Sequence, residues 1–381
     1  MKRIKLIFLL FLLFLNVLIL FQKGIITAGP ATSLAEKPFE PLLSVFRLIR
    51  SEYIEEKDPL QTMDGALRGL VNSLDPLSGY LSRTATSLYL EQQKETYLYE
   101  TGLLIMKRYG FFPVVVGIVP NSPAQKADLR VGDYLTEING QPTSPLSLIE
   151  TRLLLKNKQK TPVSVKMLRD EQTRIVSLER ERLINHPYTF LTQAKTKGWL
   201  QVHGFFPPLA TELNQKIIPR LLKSNTSEPL VIDLRTTEEG TLEEALKFLN
   251  LFLSGEKIGF YRDRNGNQQD LNCPSAAPLL ETNLVVWVSP ATQDLAELVA
   301  AALQTIKKAQ IIGHPTPGLL AKREFFLLRD NTSFFLTTAV GGLPPEKTLW
   351  GKGVEPDIKL GPDEFDASIY LQKTLGLQGL S

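Results

Sequence analysis

After Trp199 the hydrophobic pattern changes its period, and that change limits the fold more than any other feature of the chain. Leu230-Val231-Ile232-Asp233-Leu234 is a nearly continuous apolar run of strand length, and Leu242, Ala245, Leu246 and Leu249 then recur at helical spacing. Thr241 and Glu244 precede that helix in the spacing of a capping box. The unit repeats: an apolar run at 284–288 leads into a helix bearing Leu295, Leu298, Val299, Ala302, Leu303 and Ile306, and 309–312 returns as strand. Strands apolar on both faces and joined by helices imply a parallel sheet covered by those helices, an α/β layer structure.

Upstream the pattern is different. Between Gly102 and Arg180 short β-type runs dominate, at 103–106, 114–119, 134–138, 163–168 and 174–178, with one amphipathic helix at 146–155. Gly132-Asp133 and Asn139-Gly140 supply turn chemistry between them. Before this β-rich module, Leu43, Phe46, Ile49 and Tyr53, then Met63, Ala66, Leu67, Leu70 and Val71, mark a helical region that Asp75-Pro76 ends. The first residues read as targeting: Lys2, Arg3 and Lys5 are followed by an apolar run at 6–21 broken only by Asn16, with the small Ser33 and Ala35 before Glu36. The run is long for a cleaved signal and short for a full span, so cleaved signal and retained membrane anchor both stay open. Either way the basic start keeps the N-terminus cytoplasmic and places the body outside. The expected divisions are 1–35 for this segment, 36–98 helical, 99–181 β-rich and 182–381 α/β.

Four of the 43 basic residues, Lys2, Arg3, Lys5 and Lys23, precede Ala35, where there is no acid, which leaves 39 against 40 acidic residues in the body. A body so nearly neutral has no electrostatic drive toward nucleic acid or anionic lipid. Cys273 is the only cysteine, so no intrachain disulfide forms and no thiol cluster binds metal. His186, His203 and His314 fit no zinc spacing, and no cofactor or metal is expected.

Several short runs, in order, carry an identification: Ser73-Leu74-Asp75-Pro76-Leu77-Ser78, Asn121-Ser122-Pro123-Ala124-Gln125-Lys126-Ala127, Val131-Gly132-Asp133 and Ile138-Asn139-Gly140. They continue with the 230–235 strand, Glu297-Leu298-Val299-Ala300, and Gly351-Lys352-Gly353-Val354-Glu355-Pro356-Asp357. Together they resemble the carboxyl-terminal processing (tail-specific) serine proteases, and the resemblance covers nearly the whole body. It implies a crotonase-like α/β protease core with an inserted PDZ domain and an N-terminal helical region. The PDZ domain would accept a polypeptide C-terminus as an added strand, with loop amides holding the terminal carboxylate. By position that loop is Thr101-Gly102-Leu103-Leu104, where Leu104 replaces a second Gly usual in the family.

The same resemblance implies a Ser nucleophile, a neutral Lys base and backbone oxyanion donors. Asp294 stands at the nucleophile position and Leu319 at the base position; an auxiliary Asp of some members corresponds to Thr305. The glycine-rich oxyanion turn reads Thr236-Thr237-Glu238-Glu239-Gly240, with acids where negative charge would develop. Asp294 is expected instead to cap its helix, with Glu297 completing a capping box. Ser289, Thr292, Lys307, His314 and Lys322 lie near the lost positions by sequence and offer the material for a relocated dyad. The expectation is a pseudoprotease binding polypeptide C-termini, unfolded protein, an active homologue or a second copy of itself; the alternative is an active serine endopeptidase with that relocated dyad.

Overall fold

The computed structural model describes residues 39–183, 186–224, 227–237, 239–274 and 280–377; the targeting segment at 1–35 and Glu238 lie outside the described residues. The chain forms two compact units, Met1–Ala66 and Leu67–Ser381. Helix α1 (Glu40–Glu52) has a helical stripe of apolar residues and buries none of its side chains fully. No helix among the described residues is long and apolar enough to cross a membrane.

Helix α2 (Pro59–Asn72) runs across the boundary and ends before Asp75. The Asp75 carboxylate accepts the N–H groups of Leu77 and Ser78, both at 2.8 Å, and the Thr337 hydroxyl at 3.1 Å. That turn delivers β1 (Gly79–Leu81) and then α3 (Arg83–Gln92), whose N-cap Ser82 accepts the N–H of Ala85. The β-rich module follows as expected. It contains β2 (Leu103–Met106), β3 (Val114–Ile118), α4 (Pro123–Lys126), β4 (Tyr134–Ile138), β5 (Gln141–Pro142), α5 (Leu148–Leu155), β6 (Val163–Arg169) and β7 (Gln172–Leu178). The sheet order is β2-β3-β4-β6-β7, with β5 paired to β4. Strand β7 starts two residues before its expected place because Asp170 and Glu171 both take positive φ, 47° and 64°, and make a two-residue hairpin turn.

The core domain opens with β8 (Tyr188–Leu191), β9 (Gly198–Val202) and the short helices α6 (Leu209–Glu212) and α7 (Ile218–Lys223), then β10 (Leu230–Asp233) and α8 (Leu242–Leu249). Thr241 caps α8, but Glu244 spends its carboxylate on the N–H of Ala210 at 2.8 Å, so only half of the expected capping box forms. Strands β11 (Lys257–Asp263), β12 (Gln268–Asn272) and β13 (Leu284–Val288) precede α9 (Leu295–Thr305) and β14 (Gln310–Gly313). The chain closes with β15 (Ala321–Leu327), β16 (Ser333–Leu343), β17 (Lys347–Thr348), β18 (Ile358–Lys359) and α10 (Ala367–Gly376).

Two sheets build this domain. One has the order β18-β14-β13-β10-β9-β8 and is parallel apart from β8. Leu230, Ile232, Val286 and Val288 pack from one face into the cluster that α8 and α9 complete. From the other face, Val231, Val285, Trp287 and Ile312 pack with Tyr370 of α10. The second sheet, β1-β16-β11-β12 with β15 and β17 on β16, is antiparallel and was not expected from the sequence. The carboxyl ends of β10, β13 and β14 therefore converge, which is where parallel sheets present their sites.

Candidate functional site

Asp294 follows β13 at the entry to α9 with φ 53° and ψ −119°. A helix cap needs extended backbone to turn its side chain back on the first amides. At positive φ that direction is lost, and the Asp294 side chain makes no cap hydrogen bond, so the capping expectation is corrected. The conformation belongs to the strained strand-to-helix turns that lift a nucleophile above a sheet, at a cost of about 1–3 kcal/mol. The turn persists although the residue on it is a carboxylate. Its Oδ1 is buried without a hydrogen-bond partner. Burial pushes the Asp294 carboxyl up to about 6, against the opposing pull of Arg323, the Ala321 amide and Arg152.

Glu297 also departs from its expected cap role. It is 0% exposed and accepts the Thr316 hydroxyl at 2.5 Å, the Gly318 N–H at 2.6 Å and the Leu319 N–H at 2.5 Å. It thereby clamps α9 to the turn where the base would sit. Burial raises its carboxyl to about 7 against the opposing pull of the Thr316 hydroxyl and the Leu319 and Gly318 amides, with the nearby Asp294 adding to the rise. Gly318 has φ 76°, and a Cβ there would lie 2.5 Å from the Lys352 amide nitrogen, so this turn tolerates no other residue without movement. Leu319 is 4% exposed and packs with Leu77, Ala321, Met106 and Trp350.

None of the other expected groups rebuilds a dyad. Ser289 donates to the Arg235 carbonyl at 2.6 Å and accepts from the Ala291 N–H, while the Thr292 hydroxyl donates to the Leu234 carbonyl at 2.8 Å. Lys322 bonds Gln269 and lies 5.1 Å from the centre of the Tyr261 ring. Lys307 sits with Lys197, Glu281 and Gln310 at the opposite, amino-terminal edge of the central sheet. His314 is buried between Tyr370 and the Gly361 carbonyl, stacked on Phe365 at 4.3 Å. Thr305 is exposed at the far end of α9. The cations that act on Asp294 are Arg152 and Arg323, which stay protonated and cannot serve as bases. Among the described residues no group of His, Cys, Asp and Glu is arranged to hold a metal ion.

The oxyanion turn is equally committed. The Gln293 N–H donates to the Thr237 carbonyl at 3.3 Å, and Gly240 pairs with Phe205 in a parallel bridge. The side chain of Glu239 turns to Lys156 at 2.5 Å. Lys156 ends α5 of the β-rich module, and Arg152, one turn earlier, donates to the Gln293 carboxamide at 3.0 Å and to the Ile105 carbonyl at 3.3 Å. Sequence reasoning missed Arg152, Gln293 and Arg323, because nothing local relates residues 141 positions apart.

The expected carboxylate loop is closed. Thr101, Gly102, Leu103 and Leu104 are all buried, and the cavity they share with Arg152 and Lys156 measures about 20 Å³, room for about one water. Gly102 has φ 84°, and a Cβ there would lie 2.2 Å from that of Ser122. Leu104 and Val116 pack on Ala291 of the core, and Ile149 and Leu153 pack on Leu81 with Phe325 and Phe335 around them.

A six-stranded β module of this topology packed on an α/β core, with a strained strand-to-helix turn beneath it, defines a protease-type chain with a PDZ domain. Residues 198–360 match the family model for peptidase family S41, and residues 114–169 match that for a PDZ domain. The chain is 24% identical over 377 residues to the carboxy-terminal processing protease CtpA of Bacillus subtilis (strain 168), spanning 97% of this chain and 80% of that protein. It is 22% identical over 337 residues to a probable CtpA-like serine protease of Staphylococcus aureus (strain COL), spanning 87% and 66%. The solved photosystem II D1 C-terminal processing protease matches with a TM-score of 0.68 at 21% identity, over 88% of this chain and 96% of that one, a likeness of fold. The chain is a PDZ-containing homologue of the carboxyl-terminal processing proteases.

Proposed function

We propose that this chain is a pseudoprotease, which holds polypeptide C-termini or a partner protein without hydrolysing them. The observation that carries this reading is the pair of replacements in an intact frame: Asp294 on the nucleophile turn and Leu319 in an apolar cluster at the base position. A carboxylate is a poor nucleophile toward an amide, and a buried Leu removes no proton. Ser289 and Thr292 spend their hydroxyl protons on backbone carbonyls, and the cations that act on Asp294 are arginines, which counts against a relocated dyad. The PDZ domain supports polypeptide C-termini as the ligand class, through strand addition beside β2. Arg152 of the same module donates to the Ile105 carbonyl on that edge at 3.3 Å, so an added strand has to displace it. An active homologue or a second copy of the chain fits the same docking chemistry.

The basic start and apolar run at 6–21 support export, with the body on the extracytoplasmic side and attached if the segment is retained. The near-neutral body supports no nucleic-acid partner.

Incubation with a chemically denatured polypeptide checks this reading. The expected result is substrate recovered intact by mass spectrometry over hours, part of it bound to the chain. Fragments that disappear on Asp294→Ala or Ser289→Ala substitution would establish an active enzyme instead.

A further inference from the structure

The loop between β2 and β3 carries the most exposed aromatic ring among the described residues. Its sequence is Lys107-Arg108-Tyr109-Gly110-Phe111-Phe112-Pro113. Phe111 is 70% exposed, Tyr109 49% and Phe112 38%, a concentration of bare aromatic surface that marks an interaction site. A surface loop is ordinarily mobile, yet this one is fastened from beneath. Lys107 is 4% exposed, and its ammonium group donates to the Phe111 carbonyl and to the Ser144 carbonyl at 3.0 Å. Burial of that group is unfavourable and lowers it to about 8 against the opposing pull of Glu150. The Phe111 N–H donates to the Arg108 carbonyl at 3.1 Å, and the Pro113 carbonyl accepts the Leu135 N–H at 2.9 Å. Gly110 makes the reversal at φ 79°. A Cβ on Gly69 would lie 3.3 Å from the Tyr109 hydroxyl, so the end of α2, with the exposed Leu70 and Leu74, stands beside the loop.

We propose that the 107–113 loop is a membrane-insertion tip that seats Tyr109, Phe111 and Phe112 in the interface of a lipid bilayer, with Arg108 at headgroup level. Three observations select lipid over a polypeptide partner. The rings stand on the tip of a turn, whereas a polypeptide strand or helix is received by a sheet edge or a groove. Four backbone polar groups of the tip, the N–H and carbonyl of Phe111 and the carbonyls of Arg108 and Pro113, are paired within the protein. Such internal pairing is what a backbone needs on entering a low-dielectric layer, and water makes no such demand. The residue types also fit: Tyr and Phe lie next to an Arg, and no Asp or Glu occurs between 101 and 127. The inference goes beyond the pseudoprotease reading and does not rest on it. Nor does it need a retained anchor. Where the apolar run at 6–21 is kept, the tip supplies a second contact, and two contacts fix how the body faces the bilayer. Because the body is nearly neutral, burial of the rings and not charge drives the insertion.

The test uses the full chain bearing Phe111→Trp, mixed with phosphatidylcholine vesicles whose upper acyl carbons either carry bromine or do not. Bromine there quenches only a ring that has reached the acyl boundary. Plain vesicles are expected to move the added emission to shorter wavelength, and brominated ones to quench roughly half of it, at the depth an interfacial ring occupies. Wild-type protein, with Trp199, Trp287 and Trp350, supplies the background. Ile175→Trp is the control, since Ile175 is 72% exposed on β7 at the other end of the same sheet. Its emission is expected to stay solvent-like and unquenched even where the N-terminal run holds the chain on the vesicle. In wild type, vesicles are expected to slow hydrogen exchange at 108–112, equally in high salt, and Phe111→Ser with Phe112→Ser is expected to remove that slowing. An unquenched ring at 111 overturns the insertion tip, as does equal quenching at 111 and 175. Slowed exchange at 108–112 brought about by raising the protein concentration, with vesicles adding nothing, assigns the tip to a second copy of the chain and overturns it too.

Discussion

Glu297→Ala is expected to lower stability by about 3 kcal/mol, the sum of a few buried donors losing their acceptor at roughly 1–3 kcal/mol each, less the carboxylate's own burial cost. Three donors are involved: the Thr316 hydroxyl and the N–H groups of Gly318 and Leu319. Glu297→Gln preserves the acceptor facing Thr316 and Gly318 but turns an NH2 toward the Leu319 N–H, so its loss is expected to be intermediate. Thermal unfolding read alongside hydrogen exchange at 316–319 checks this. For Glu297→Ala the melting temperature should fall by several degrees and the turn's amides should exchange first. An unchanged melting temperature would mean that the turn holds itself in place without the clamp.

Asp294→Asn should act in the opposite direction and should depend on pH. Burial raises the Asp294 carboxyl to about 6 from an ordinary 3.8, so the folded state binds its proton more tightly than the unfolded chain does. A raised acid is a penalty that is full above its folded value and vanishes as pH falls to the unfolded one. A shift of that size corresponds to about 3 kcal/mol at pH 8, and the unpartnered amide left where Oδ1 was takes back about 1 kcal/mol. Asp294→Asn is therefore expected to be about 2 kcal/mol more stable than wild type at pH 8 and indistinguishable or slightly less stable at pH 4. Glu297 is raised too, partly by Asp294, so the two titrate as a pair and wild-type stability should climb from pH 8 toward pH 5. Denaturant midpoints across that range decide it. A variant that loses stability equally at both ends would show that Asp294 is held by contacts that its charge strengthens.

Much of the architecture was legible because it rests on local pattern. Leu284–Val288 could be read as a buried strand from its uninterrupted apolar run, and the helix after it from apolar residues three and four apart. The β-rich module showed itself through short runs separated by turn residues. The antiparallel sheet did not, since β12 is largely polar and β15, with Lys322, Arg323 and Glu324 together, lacks a period of two. Those strands exist through pairing with β16, a long-range fact.

At the site, the replaced positions 294 and 319 were visible as departures from a motif. The contacts that the residues at those positions make were not. Asp294 was expected to cap α9 because caps are common for Asp, yet capping presupposes a backbone that the strained turn forbids. Glu297 was assigned to the same cap and instead spans to a turn about 20 residues later in the chain. The Arg152 and Lys156 bridges depend on how a separate domain sits against the core, and no spacing in the sequence encodes that.

The proposed pseudoprotease reading requires that no hydroxyl among the described residues be activated for attack. Treating the folded full chain with a fluorophosphonate probe and measuring the intact mass tests it most directly. The expected spectrum is unmodified protein after exposure that fully labels an active serine protease. An added probe mass on any Ser or Thr, lost when the protein is unfolded beforehand, would contradict it.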